Sequence, residues 1–203
     1  MIHLLYLAAG SSRRFGANKL LAPFRGLPLF LHGLTVLEKV CAQRTHCTLR
    51  VVSQYQEILD TVRKKGLVGV ESPQSPLGLS YTIKAGLSTL PPLAPEDFLV
   101  FAVADQPFLS EETLTRLLDA ARPGVTAACV SWDGQPGNPT LFSASLAPAL
   151  HALQGDQGGR VVLRQNPCLL VPAASPEEGR DIDTPQDWSA LEGSPCLDNP
   201  LSQ

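Results

Sequence analysis

Three cations stand close together near the start of this chain. They are Arg13, Arg14 and Lys19, in the loop Gly10-Ser11-Ser12-Arg13-Arg14-Phe15-Gly16-Ala17-Asn18-Lys19. The protein as a whole carries a formal net charge of −3, so this concentration of positive charge is local. Glycine-freed backbone amides and cations placed after a short apolar run, here Leu4 to Ala9, are how α/β proteins hold a phosphate chain. The loop has no G-x-G-x-x-G, and Lys19 stands at the wrong distance from Gly16, with no Ser or Thr after it, for a P-loop. The small residues Ala8, Ala9 and Gly10 after Leu7 let a flat base or ribose reach the backbone, while Arg14 and Lys19 can neutralise a triphosphate. On glycine and charge alone, the same loop also fits a tight turn with solvated cations.

Carboxylates complement it. Asp105 follows the apolar run Phe98 to Ala104, and Pro107 stops that run. A carboxylate there suits a hard cation; a helix cap is the plainer alternative, although Ser110 with Glu112 or Thr113 already supplies capping groups. Farther on, Asp181 and Asp183 alternate across Ile182, so both face one way if the segment is extended. Thr184-Pro185 reads as an N-cap followed by proline at the first helical position. Alone, this segment is a helix start; beside Asp105, Asp183 supplies the second carboxylate for one Mg²⁺.

Alternating elements position these groups. Strands are predicted over Leu4–Ala9, Cys47–Ser53, Leu67–Glu71, Phe98–Ala104 and Val125–Ser131. Helices are predicted over Pro28–Cys41, Gln54–Lys65, Leu79–Leu90 and Glu111–Ala121, with a weaker one over Ser145–Leu153. The βαβα rhythm implies an α/β fold with a mostly parallel sheet and helices on both sides, and ligands beyond the carboxyl ends of its strands. Ser72–Gly78 reads as a loop, Asp133–Pro139 as a polar turn cluster, and Gly155–Arg160 as a second loop able to bring backbone close to a ligand.

Composition narrows the field. At 203 residues with 44% hydrophobic and 17% charged residues, a soluble globular domain is expected, with no basic stripe for nucleic acid and no run long enough to span a membrane. The five cysteines form no C-x-x-C pair and read as reduced thiols; together with the absence of a signal peptide they suggest a cytoplasmic protein. The four histidines are scattered and read as surface or structural. One domain is expected over residues 1–193, its first half binding nucleotide and its second half the acceptor, with a flexible tail over 194–203.

In this order, Leu7 to Lys19, Asp105-Gln106-Pro107, Gly137-Asn138-Pro139-Thr140-Leu141-Phe142, Gly155-Asp156-Gln157-Gly158-Gly159-Arg160 and Asp181-Ile182-Asp183-Thr184-Pro185 resemble the nucleotidyltransferases of molybdenum cofactor maturation. With Ala9 before Gly10, the resemblance is to the cytidylyl-transferring branch more than to the guanylyl one. Phe15, Gly159 and Gln186 depart from the usual methionine, alanine and acid. The resemblance implies a Rossmann-like three-layer fold, CTP and Mg²⁺ as requirements, and the phosphate of the molybdenum cofactor as acceptor. A molybdenum hydroxylase or its maturation chaperone would receive the product. It assigns Leu7, Ala8, Ala9, Gly10, Ser12, Arg14, Lys19, Leu79 and Ser80 to the nucleotide, and Asn138, Asp156 and Arg160 to the acceptor. Asp105 and Asp183 go to the metal, with Arg14, Lys19 and Asp105 carrying catalysis. Competing readings are guanylyl transfer to the same cofactor, cytidylyl transfer to a sugar or polyol phosphate, and a carrier or chaperone without catalysis.

Overall fold

The structure is a computed structural model that describes residues 1–12 and 15–192. Arg13, Arg14 and the tail expected over 194–203 lie outside the described residues, as does Cys196. The strands are β1 (Ile2–Leu7), β2 (Pro23–Phe24), β3 (Leu27–Pro28), β4 (Cys47–Ser53), β5 (Val68–Glu71), β6 (Phe98–Val103), β7 (Ala127–Trp132), β8 (Gln135–Ser143) and β9 (Cys168–Pro172). The helices are α1 (Leu29–Ala42), α2 (Gln56–Lys64), α3 (Leu79–Leu87), α4 (Glu111–Asp119), α5 (Ala147–His151), α6 (Gly159–Leu163) and α7 (Pro185–Glu192).

Seven strands form one sheet in the order β5-β4-β1-β6-β8-β7-β9. The ladders β4–β5, β1–β4, β1–β6 and β7–β9 are parallel, and only β8 runs against its neighbours β6 and β7. The α/β class and the mostly parallel sheet are therefore as the sequence predicts. Pleating sends alternate residues to opposite faces, and both faces are covered, so β1 and β6 are apolar at almost every position. Leu4 and Tyr6 join a core under α1 and α4, while Leu5 and Leu7 join one under α3 and α5.

Two strands of this sheet escape the sequence reading, as does the small β2–β3 hairpin. The turn predicted over Asp133–Pro139 is much tighter: Asp133 and Gly134 alone reverse the chain, with φ of 49° and 72°. This is the Asp-Gly geometry that favours a hairpin. Gln135–Ser143 then runs back as β8, whose polar, proline-bearing start hides it. Gly137 is needed there because a Cβ would stand 2.1 Å from the Trp132 ring. The edge strand β9 was also unseen, being short and closed by Pro172. The weak helix over Ser145–Leu153 is realised as a 3₁₀ turn followed by the short α5.

Among the described residues, no helix is long and apolar enough to cross a membrane. The four described cysteines are free thiols, although Cys129 and Cys168, far apart in sequence, bring their sulfurs to 3.6 Å.

The first strand is pinned beneath α1 by a close approach. The buried Tyr6 hydroxyl donates to the Phe30 carbonyl at 2.8 Å, and a Cβ on Gly33 would lie 2.7 Å from that hydroxyl. Gly33→Ala should therefore destabilise the protein by about 1–3 kcal/mol through overpacking. Adding Tyr6→Phe removes the clashing oxygen, so the double variant should be no less stable than Gly33→Ala alone. Urea unfolding of the cycle measures this; a Gly33→Ala midpoint equal to that of the parent would refute the close packing.

Candidate active site

A cleft of about 300 Å³ opens at the carboxyl ends of β1 and β6. Leu7, Ala9, Gly10 and Ser11 line it from the end of β1, Val103, Ala104 and Asp105 from the end of β6, and Ser75, Pro76, Gly78 and Leu79 from the segment that leads into α3. Lys19 and Asp156 also face it. In an open, mostly parallel sheet, ligands bind beyond the carboxyl ends of the strands, and the cleft lies there.

The chain leaving β1 is held by the segment that leaves β4. Ser53 Oγ donates to the Ala8 carbonyl at 2.7 Å, Gln54 Nε2 to the Ala9 carbonyl at 2.6 Å, and Tyr55 Oη to the Gly10 carbonyl at 2.9 Å. Ser12, at φ 49°, then turns the chain, and its hydroxyl accepts from the Lys19 amide at 3.2 Å.

Lys19 joins three separate parts of the sequence. Its ammonium donates to Asp105 Oδ2 at 3.1 Å, to Asp183 Oδ1 at 2.9 Å and to the Ile182 carbonyl at 2.6 Å. Three acceptors match the three N–H donors of an ammonium. The Lys19 side chain is only 6% exposed, so burial alone would lower its pKa. The Asp105 charge and the hydrogen bonds to Asp183 and Asp105 outweigh burial, and the net shift is upward. Lys19 is thus a fixed positive charge between two carboxylates.

The acidic segment is braced on its own side. Ile182 is fully buried and its amide donates to the Asp105 carbonyl at 3.0 Å, which ties the segment to the turn after β6. Asp187 Oδ2 accepts from the amides of Asp183 and Thr184 and from the Thr184 hydroxyl, while the Asp187 amide donates to Thr184 Oγ1. This reciprocal cap starts α7, as the Thr-Pro pair predicts. Trp188 of α7 packs at 5.2 Å between ring centroids on both Phe15 and Phe24, and Arg25 donates to the Leu191 carbonyl at 2.6 Å.

Asp181 donates nothing and accepts from Gln106 Nε2 at 2.7 Å. Its pKa is pushed up to about 6, by desolvation first and by the Asp105 and Asp183 charges after it. Because the residue as a whole is exposed, the neighbouring carboxylates are the firmer cause.

The structure brings together most of the predicted site residues. Leu7, Ala9, Gly10, Lys19, Leu79, Asp105 and Asp156 line one cleft, although Asp156 was expected on the acceptor side and the others on the nucleotide or metal side. Ala8 is fully buried behind that wall, and Ser80 is buried below it with its amide donating to the Gly155 carbonyl at 3.1 Å. Asn138 lies half-buried on β8 and Arg160 exposed on α6; the structure does not bring either into this cleft. Arg14 is outside the described residues. Asp105 does not cap α4, because Ser110 Oγ accepts from the Thr113 amide at 3.1 Å. The histidines keep away: His3 sits at the opposite end of β1 against Thr48, and His32 contacts the Phe24 carbonyl.

Ser53, Gln54 and Tyr55 are candidate functional residues that the sequence does not reveal: Ser53 reads only as the end of a strand, and Gln54 and Tyr55 as the start of a helix, which in the structure begins at Gln56. Sequence reasoning also missed Gln106, Asp187 and Thr82. The one available signal was position, since the carboxyl end of any strand in a parallel sheet faces the ligand crevice.

A hard divalent cation fits the donor set. Asp105 Oδ2 and Asp183 Oδ1 converge on the Lys19 ammonium, and their side chains, 29% and 37% exposed, leave each carboxylate open to a cation from solvent. Among the described residues, no group of three or more acidic, histidine or cysteine side chains is placed to hold a metal ion. Two carboxylates completed by substrate phosphate oxygens and water suit Mg²⁺, which rarely occupies an all-protein cage.

A family model described as the MobA-like NTP transferase domain matches residues 4–169. Nicotine blue oxidoreductase of Paenarthrobacter nicotinovorans is 30% identical over 199 residues, covering 88% of this chain and 90% of that protein. The molybdenum cofactor guanylyltransferase of Pasteurella multocida is 28% identical over 183 residues, covering 87% of this chain and 92% of that protein. The crystal structure of Rv0371c from Mycobacterium tuberculosis H37Rv in complex with manganese has a TM-score of 0.74 at 23% identity, covering 95% and 98% of the two chains.

The far wall of the cleft depends on one glycine. Gly78 has φ 134°, and a Cβ there would lie 2.2 Å from the Gly155 carbonyl carbon and oxygen. Gly78→Ala should cost about 1–3 kcal/mol in stability. It should also free residues 155–158 from the start of α3. Hydrogen exchange at the Ser80 amide, faster in the variant, checks this; unchanged exchange and stability would show that the two loops do not depend on each other.

Proposed function

Since the chain belongs to the MobA-like NTP transferase family, we propose that it transfers a cytidylyl group from CTP to the terminal phosphate of the molybdenum cofactor. An oxygen of the acceptor phosphate attacks the α-phosphorus of CTP, the bond from that phosphorus to the β-phosphate bridging oxygen breaks, and pyrophosphate leaves. The observation that carries this reading is the Asp105–Lys19–Asp183 bridge at the mouth of a cleft walled by Gly10 and Ser11. A cofactor carrier would need neither a paired carboxylate site nor a triphosphate cradle.

The nucleophile is a phosphate oxygen already ionised at neutral pH, so the reaction needs no general base. Its requirements are in-line positioning and neutralisation of charge. Asp105 and Asp183 would hold Mg²⁺, which when bound neutralises charge developing on the phosphate oxygens. Lys19 keeps the two carboxylates facing one point and lowers their mutual repulsion. The triphosphate would be held by Arg14 and by the backbone around Gly10 and Ser12, with Leu7 to Ala9, Leu79 and Ser80 beside the nucleoside. Asp156, Asn138 and Arg160 would serve the acceptor, and a molybdenum hydroxylase or its maturation chaperone would take the product.

Cytosine as the base is supported by Ala9 before Gly10, the residue on which the resemblance to the cytidylyl-transferring branch rests and one that lines the cleft. Guanylyl transfer is the second reading, favoured by the guanylyltransferase named among the relatives.

Pyrophosphate release from each of the four nucleoside triphosphates, with molybdenum cofactor and Mg²⁺, tests the proposal. CTP should be used at least about tenfold better than GTP, the preference that roughly 1.4 kcal/mol of differential binding gives. Asp105→Asn should lower kcat/KM by roughly 10²–10³-fold, as loss of a preorganised electrostatic group does. Preference for GTP would move the function to the second reading, and undiminished turnover by Asp105→Asn would remove Asp105 from the site.

A further inference from the structure

The last residue of β4 and the two that follow it bind three consecutive carbonyls after β1. Ser53 takes Ala8, Gln54 takes Ala9 and Tyr55 takes Gly10. A regular strand turns successive carbonyls to alternate sides, so this one-to-one match requires the chain to leave strand geometry beyond Leu7. We propose that Ser53, Gln54 and Tyr55 are positioning residues that aim the backbone amides of Ala9, Gly10 and Ser11 into the cleft as ligands for a polyphosphate. The inference rests on the reading of the cleft as a triphosphate site.

In a planar trans peptide the carbonyl of one residue and the N–H of the next point in opposite directions. Carbonyls of Ala8, Ala9 and Gly10 drawn toward the segment 53–55 therefore turn the amides of Ala9, Gly10 and Ser11 away from it. These three residues line the cleft. Successive amides converging in this way form an anion-binding concavity.

The clamp also removes a repulsion. A carbonyl oxygen facing the cleft would meet the negative charge of a phosphate, whereas an oxygen held by a hydroxyl or side-chain amide is both turned away and partly neutralised. Ser53 fixes the clamp itself, because its buried hydroxyl also accepts from the Tyr55 amide at 3.1 Å. Gln54 and Tyr55 are half-buried at its outer end, and Tyr55→Phe keeps the ring that packs against the core.

Inorganic tripolyphosphate is the probe, because it tests the amides without a base or acceptor. Calorimetric titration of the parent protein should show binding. Tyr55→Phe and Gln54→Ala should each raise Kd about fivefold, the loss of one hydrogen bond of roughly 1 kcal/mol, and together they should raise it by more than tenfold. The thermal midpoint should stay within about 2 °C for Tyr55→Phe, a surface-edge change of small energy. In the transfer assay the KM for nucleotide should rise while kcat stays within twofold, and the Gly10 amide resonance should shift in the variants without ligand.

Equal affinity of parent and double variant for tripolyphosphate would overturn the inference, as would no binding by the parent. A fall in kcat and thermal midpoint with KM unchanged would also overturn it, by showing a purely structural role. Weakened tripolyphosphate binding in a protein that transfers no nucleotide would leave the clamp standing and remove the transfer reading. Transfer with tripolyphosphate binding indifferent to the substitutions would do the reverse.

Discussion

The Lys19 ammonium is the contact on which the site depends. It lies between Asp105 at the end of β6 and Asp183 before α7, and its third proton goes to the Ile182 carbonyl. Two carboxylates brought to one point repel each other, and a buried cation between them is what allows the chain to hold both. The first loop, the most central parallel strands and the end of the described chain are thereby joined at one atom. The surrounding contacts follow from this requirement: Ser12 fixes the Lys19 backbone, Ile182 anchors the acidic segment, and the Thr184–Asp187 cap together with Trp188 holds α7 against Phe15 and Phe24.

The arrangement separates two tasks. On the proposed function, Asp105 and Asp183, held by Lys19, would carry the cation between two phosphates. The wall from Ala9 to Ser11 is controlled from behind, by side chains that never face the cleft. On the proposed function, the carboxylates that would hold a cation and the backbone dipoles that would position a polyphosphate come from different parts of the fold. A nucleotidyl transfer needs both, because the reacting groups are anions that must approach each other in line.

Much of this was legible in the sequence, for identifiable reasons. Apolar runs such as Phe98 to Ala104 read correctly because strands buried on both faces admit no polar residue. Asp105 and Asp183 stand out in the sequence by position, one after a buried strand and one alternating with Asp181 before a helix start, and the fold brings both to Lys19. The sequence did not reveal that Lys19 would bridge them, since nothing in its spacing fixes where a long flexible side chain ends. The Asp133-Gly134 turn was visible, yet the prolines and polar residues after it concealed β8. The Ser53–Tyr55 clamp was invisible because its partners are backbone carbonyls, which carry no mark in the amino-acid alphabet.

The most direct test of this account is to remove the bridge without changing the length of its side chain much. Lys19→Met should lower unfolding stability by about 1–3 kcal/mol, a value kept modest because both carboxylates are partly solvated. Pyrophosphate release should fall by at least roughly 10²-fold in the same variant, the scale of losing a preorganised charge from a transfer site. Parental stability together with parental turnover in Lys19→Met would contradict the claim that this ammonium holds the site together.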